Sequence, residues 1–150
     1  AIIVRPFNNY GPRQNHKGLM AGVIPLTAWR LLNGGTPEIH GTGQQSRDFI
    51  YVADTVDAVV KLFAVLPAGE NVNISTDGQV SVEALIQRIC AYYGYTGEIL
   101  RKDARKSDVL CHNASNAKVK SLIDYQLTSF DAGMALTLDW YRARLGGQGK

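Results

Sequence analysis

The chain has 150 residues, 45% of them hydrophobic and 19% charged, with a formal charge of +3, which is enough length for one domain with a real core. Its basic residues are scattered, which argues against a nucleic-acid binder, and no apolar run approaches the roughly 20 residues of a membrane span. Cys90 and Cys111 lack CxxC or metal-ligand spacing, and no secretory leader is read, so the expectation is a cytoplasmic protein with reduced thiols.

In chain order, Ala1-Ile2-Ile3-Val4 predicts a strand buried on both faces. A polar cluster, Arg5-Pro6-Phe7-Asn8-Asn9-Tyr10-Gly11-Pro12-Arg13, emerges at its carboxyl end, where open parallel sheets hold ligands. Residues 6–22 read as one long loop, a length that is usually functional. A helix fits 23–32, with Ile24, Ala28 and Leu31 on one face and Pro25 in the first turn. Residues 37–40 read as a strand, Gly41-Thr42-Gly43 as a turn that lets backbone approach a ligand, and 47–52 as another strand. Asp54 reads as the N-cap of a helix whose apolar stripe is Val56, Val59, Val60 and Phe63. A strand at 71–74 follows. Ser81 should cap a helix striped by Val82, Leu85, Ile86, Ile89, Cys90 and Tyr93, closed by Gly94. Residues 98–101 look extended, 105–108 form a polar loop, and 109–112 a brief strand. Helices at 115–123 and 130–145 finish the fold, the last with Met134, Leu138, Tyr141 and Leu145 inward. The expected architecture is α/β, one unit over residues 1–145 whose later part is a small lobe, with 146–150 a disordered tail.

Two motifs, Asn8-Asn9-Tyr10-Gly11-Pro12-Arg13-Gln14 after the first strand and Gly41-Thr42-Gly43-Gln44-Gln45-Ser46-Arg47-Asp48-Phe49-Ile50-Tyr51-Val52 downstream, resemble the extended short-chain dehydrogenase/reductase family. Its members are NAD-dependent epimerases and dehydratases of nucleotide sugars. The likeness runs from the first residue to about Leu145 and corresponds to the family's carboxyl-terminal half. It implies the carboxyl-terminal part of a Rossmann-type parallel sheet with a small α/β substrate-binding lobe. It also implies a nucleotide-sugar substrate, NAD or NADP held mainly by the amino-terminal half, and a homodimer when full length.

Residue by residue, the resemblance assigns Asn8 to the phosphates of the sugar nucleotide, and Pro6 and Phe7 to the neighbourhood of the nicotinamide. Gly22 and Val23 match backbone that touches the nucleotide, and Ile39 and His40 match the strand beside its base. Arg47 and Arg105 match phosphate-binding arginines, whose forked donors suit a diphosphate, and Asn73 matches a further substrate-side asparagine. Each arginine has a plainer alternative: a surface pair with Asp48 for Arg47, a solvated basic loop with Lys102 and Lys106 for Arg105. His40 stands where the family commonly has Tyr or Phe, and Lys106 where it has proline.

The family's hydride chemistry also needs a glycine-rich dinucleotide turn and a Tyr-x-x-x-Lys pair. No tyrosine here has lysine four places on, and Gly41-Thr42-Gly43 precedes a strand. The expectation is therefore the sugar-nucleotide-binding portion of an epimerase or 4,6-dehydratase, inactive alone and completed by the missing amino-terminal half. The alternative is a noncatalytic nucleotide-sugar-binding or regulatory module.

Overall fold

The structure, a computed structural model, describes residues 1–18, 21–104 and 109–146. In chain order these form β1 (Ile3–Pro6), β2 (Asn8–Tyr10), α1 (Val23–Leu32), β3 (Glu38–His40), β4 (Ser46–Arg47), β5 (Phe49–Tyr51), α2 (Val52–Val65), β6 (Asn71–Ile74) and β7 (Val80–Ser81). They continue with α3 (Val82–Tyr92), β8 (Leu100–Lys102), β9 (Cys111–His112), α4 (Ala117–Leu122) and α5 (Phe130–Leu145). Ser81 and Ser129 cap α3 and α5 by accepting from the Ala84 and Ala132 amides. The fold is α/β with parallel pairing of β1 with β6, β2 with β5, β3 with β8, and β4 with β9, while β7 runs antiparallel to β4. No helix among the described residues is long and apolar enough to cross a membrane.

The segment read as a long loop begins with β2, because the chain changes neighbours instead of leaving the sheet. The Phe7 amide donates to Ile74 O at 2.9 Å, and the next amide, Asn8 N–H, donates to Asp48 O at 3.1 Å. Successive amides of an extended chain point to opposite edges, so β6 lies on one side and β5 on the other. Nor is β1 buried on both faces: Ile3 is 55% exposed, since β6 is its sole strand partner among the described residues. The chain diverges from its neighbours at Phe7 and Asn8, and a crevice opens there.

Asp48 fixes that junction. It is fully buried, breaks the strand expected at 47–52 into β4 and β5, and turns both carboxylate oxygens away from Arg47. One accepts from Thr76 N (2.9 Å) and Thr76 Oγ1 (2.6 Å), the other from Asp77 N at 3.1 Å. Its own amide donates to His112 O. A buried carboxylate is tolerated when its lone pairs are filled in this way.

Alternation along β5 joins two apolar bodies. Phe49 packs with Tyr10, Ile24, Leu85, Ile89, Leu138 and Tyr141 between α1, α3 and α5. Ile50 faces the other way, onto Ala58, Leu62, Val72, Ile74 and Val119. Helix α2 rotates differently from its expected stripe. Thr55, Ala58 and Leu62 are inward, whereas Val56, Val60 and Phe63 are exposed, Phe63 at 81%. Of the expected stripe only Val59 packs against the core; Val56, Val60 and Phe63 lie on the outer face. Asp54 is not the cap; the helix begins at Val52 behind Tyr51. The Asp54 carboxylate instead holds Thr128 through its amide (2.8 Å) and hydroxyl (2.7 Å).

The Gly41-Thr42-Gly43 turn also serves packing. A Cβ on Gly43, whose φ is +78°, would sit 2.9 Å from Glu83 Cβ and 3.0 Å from Ile39 Cγ2, so glycine lets the turn close on the start of α3.

Two measurements check this account. Asp48→Asn places an amide N–H where the Thr76 or Asp77 donor needs an oxygen, and urea denaturation should show a loss of about 3 kcal/mol. Leu62→Ala should lower stability by about 2–5 kcal/mol, and Phe63→Ala by less than about 0.5 kcal/mol; equal effects would contradict the orientation of α2.

Candidate functional site

A cleft of about 430 Å³ opens beside the divergence of the strands. Asn8 at the start of β2, Gly22 and Val23 at the start of α1, His40 at the end of β3 and Arg47 in β4 all line it. These five positions, selected from the sequence, are thus brought to one cavity from four elements.

Each is placed by local structure. Gly22 is the N-cap of α1 and accepts from Leu26 N at 3.1 Å; a Cβ there would stand 2.9 Å from Gln14 Nε2. No side chain caps this helix end, so its positive dipole end borders the cleft. Arg47 is not paired with Asp48. Its Nη1 donates to Ser46 O (2.8 Å) and Val109 O (2.5 Å), which holds the guanidinium against the chain just before β9. Asn8 Nδ2 donates to Asp48 O at 3.1 Å and lies 3.4 Å from His112 Nδ1. His40 Nε2 is 3.5 Å from Glu38 Oε2, which also takes a 2.8 Å ion pair from Arg30.

Other expected residues lie elsewhere. Ile39 is 2% exposed and packs with Ile86 and Cys90, because alternation along β3 turns it inward while Glu38 and His40 face the cleft. Asn73 pairs in register with Arg5 in the β6–β1 ladder and does not line the cleft. Pro6 and Phe7 lie just outside it, with the Phe7 ring stacked on His112 at 4.8 Å between centroids. Arg105 lies outside the described residues.

The motif residues Asn9 and Tyr10 act chiefly as scaffold. Asn9 Oδ1 accepts from Thr55 Oγ1. Tyr10 is 2% exposed among Phe49, Tyr51 and Phe130, and burial drives its pKa upward, so its hydroxyl stays protonated and donates to Phe130 O. Gln14, Arg30, Glu38 and Gln45 line the cleft without having been singled out as ligand groups. Gln14 is the most telling of these. Its Nε2 donates to Asn9 O, while its buried Oε1 has no partner among the described residues, and Tyr141, whose pKa burial pushes up to about 12, donates to Gln14 O. Arg30 and Glu38 carried no signal, since an isolated arginine and glutamate in sequence look like solvated surface.

The cleft supplies cationic donors, a helix amino terminus and several amides. It suits an anionic, hydroxylated ligand. Among the described residues the glycine turn at 41–43 leads into a strand, not a helix, so it does not form a dinucleotide-binding turn. Among the described residues no group of His, Cys, Asp and Glu is arranged to hold a metal ion.

Residues 1–75 match the NAD dependent epimerase/dehydratase family. The UDP-glucose 4-epimerase of Mycolicibacterium smegmatis is 30% identical over 140 residues, covering 93% of this chain and 44% of that protein. The crystal structure of the Thermotoga maritima UDP-glucose 4-epimerase with UDP-glucose superposes with a TM-score of 0.90 at 32% identity, over 96% of this chain and 46% of that one. The Streptomyces venezuelae dTDP-glucose 4,6-dehydratase DesIV, solved with NAD, gives 0.88 at 28% identity, over 97% and 44%. The chain therefore spans a little under half the length of the relatives it matches. On the strength of its two motifs, the parallel α/β fold and these matches, the chain belongs to the NAD-dependent epimerase/dehydratase family of extended short-chain dehydrogenases/reductases.

Proposed function

We propose that residues 1–145 are the sugar-nucleotide-binding portion of an NAD-dependent epimerase or 4,6-dehydratase. The observation that carries this reading is the convergence of Asn8, Gly22, Val23, His40 and Arg47 on one cleft. Arg47 and the amino terminus of α1 hold the diphosphate, with Arg105 as a second cation, and the base lies toward β3 and His40. Binding the nucleotide places the sugar, so that affinity far from the reacting carbon is used to orient it. NAD or NADP, held mainly by the remainder of the protein, supplies the hydride acceptor when bound. This chain contributes Pro6 and Phe7 beside its nicotinamide, and Asn73 supports the strand next to them.

The remainder of the fold has surfaces waiting for it. Among the described residues β1 is paired along one edge only, and α2 exposes Val56, Val60 and Phe63. An open strand edge and an uncovered apolar stripe favour association. Full-length protein is read as a homodimer; by itself this chain has no turnover.

Calorimetric titration with UDP-glucose, dTDP-glucose and GDP-mannose should identify one bound sugar nucleotide, and Arg47→Met should weaken it by about 10–100-fold through loss of a charge-assisted donor. Absence of binding by all three, with and without NAD, would count against the reading. Tight binding unaltered by an added amino-terminal half would favour the regulatory module instead. In analytical ultracentrifugation the 150-residue chain should self-associate, and an amino-terminal half supplied in trans should reverse it. A stable monomer at high concentration would contradict this.

A further inference from the structure

Asn8 carries one amide oxygen and one amide nitrogen, and the fold decides which faces the cleft. Its nearest protein partner is the Asp48 carbonyl, at 3.1 Å. A carbonyl only accepts, so the amide nitrogen must face it. The same nitrogen lies 3.4 Å from His112 Nδ1, and because an NH₂ group only donates, Nδ1 is the acceptor in that contact.

The imidazole is itself held. Its ring stacks on Phe7 with 4.8 Å between centroids and an interplanar angle of 28°, and its backbone oxygen accepts from Asp48 N at 3.0 Å. The β4–β9 ladder sets it opposite Arg47, the cationic group in register with it; on β9 itself the other titratable neighbour is Cys111, and the Asp48 carboxylate is turned away toward Thr76 and Asp77. With both N–H groups of Asn8 directed at protein, Oδ1 is the polar atom left to a ligand, and no described residue partners it. A diphosphate oxygen has no proton to give such an acceptor. A sugar hydroxyl has one.

We propose that His112 is a positioning residue for sugar recognition: by accepting from Asn8 it holds that amide with its oxygen toward the cleft, where the oxygen accepts a hydrogen bond from a hydroxyl of the hexose. The diphosphate is then left to Arg47 and the start of α1. This rests on the sugar-nucleotide reading above and revises the role of Asn8 within it.

The test pairs each sugar nucleotide with its bare nucleotide. His112→Phe keeps the stack on Phe7 and removes the acceptor, whereas His112→Gln restores an acceptor oxygen. In calorimetry with UDP and UDP-glucose, and with dTDP and dTDP-glucose, His112→Phe should weaken the sugar-bearing ligand by roughly 3–10-fold and leave the bare nucleotide unchanged. His112→Gln should recover most of the loss. Arg47→Met, by contrast, should weaken both ligands alike. Equal weakening of both by His112→Phe, or of neither, overturns the proposal. Nitrogen-15 NMR at pH 8 without ligand should show the Nε2–H tautomer of His112, and an Nδ1–H tautomer overturns it independently of any ligand. Failure of every probe to bind the unmodified chain would instead bring down the sugar-nucleotide reading itself, an outcome visible before any variant is made.

Discussion

The hydrogen bonds of Asp48 are the constraint on which the rest of the site depends. Its carbonyl takes both the backbone and side-chain donors of Asn8, its amide reaches β9, and its carboxylate gathers the turn at Thr76 and Asp77. Four stretches far apart in sequence meet at one residue from which water is excluded. In that environment an unfilled lone pair is expensive, so every contact must be made at once. The position of the cleft follows, because Asn8 on one side and Arg47 on the other are both tied to the backbone that this carboxylate immobilises.

Around that joint the polar motifs divide their labour. Asn9 looks like a ligand group in the sequence, yet it, Tyr10 and Asp48 spend their polar atoms on other parts of the protein and build the walls. Their neighbours Asn8, Gln14 and Arg47 face the cavity. Strand alternation explains part of the division, as at Glu38, Ile39 and His40, where the middle residue enters the core and its neighbours line the cleft.

The helices were largely legible because their signals are local. Ser81 caps α3, Pro25 sits in the first turn of α1, and Met134, Leu138, Tyr141 and Leu145 are buried at the expected spacing along α5. What sequence could not reveal was the partner of each face. The stripe of α2 has a true helical period, but the face that packs on Ile50, Val72 and Ile74 is the one carrying Ala58 and Leu62, and periodicity alone does not say which face meets a partner. The same holds for β2: two asparagines carry little strand propensity, and the pairing of this segment with β5 is set by a contact forty residues away. The motifs pointed to the cleft's neighbourhood. Arg30 and Glu38 reach the cleft, and His112 reaches Asn8, only through tertiary packing, which is invisible one residue at a time.

Finally, the three residues of β5 belong to both apolar bodies, Phe49 to one and Ile50 to the other, with Tyr51 leading straight into α2. Neither body can loosen without pulling the shared strand out of register with β2. The helices around Phe49 and the sheet that carries β6 therefore share one three-residue strand, so a substitution that displaces the backbone at Phe49 or Ile50 should be registered in both apolar bodies at once.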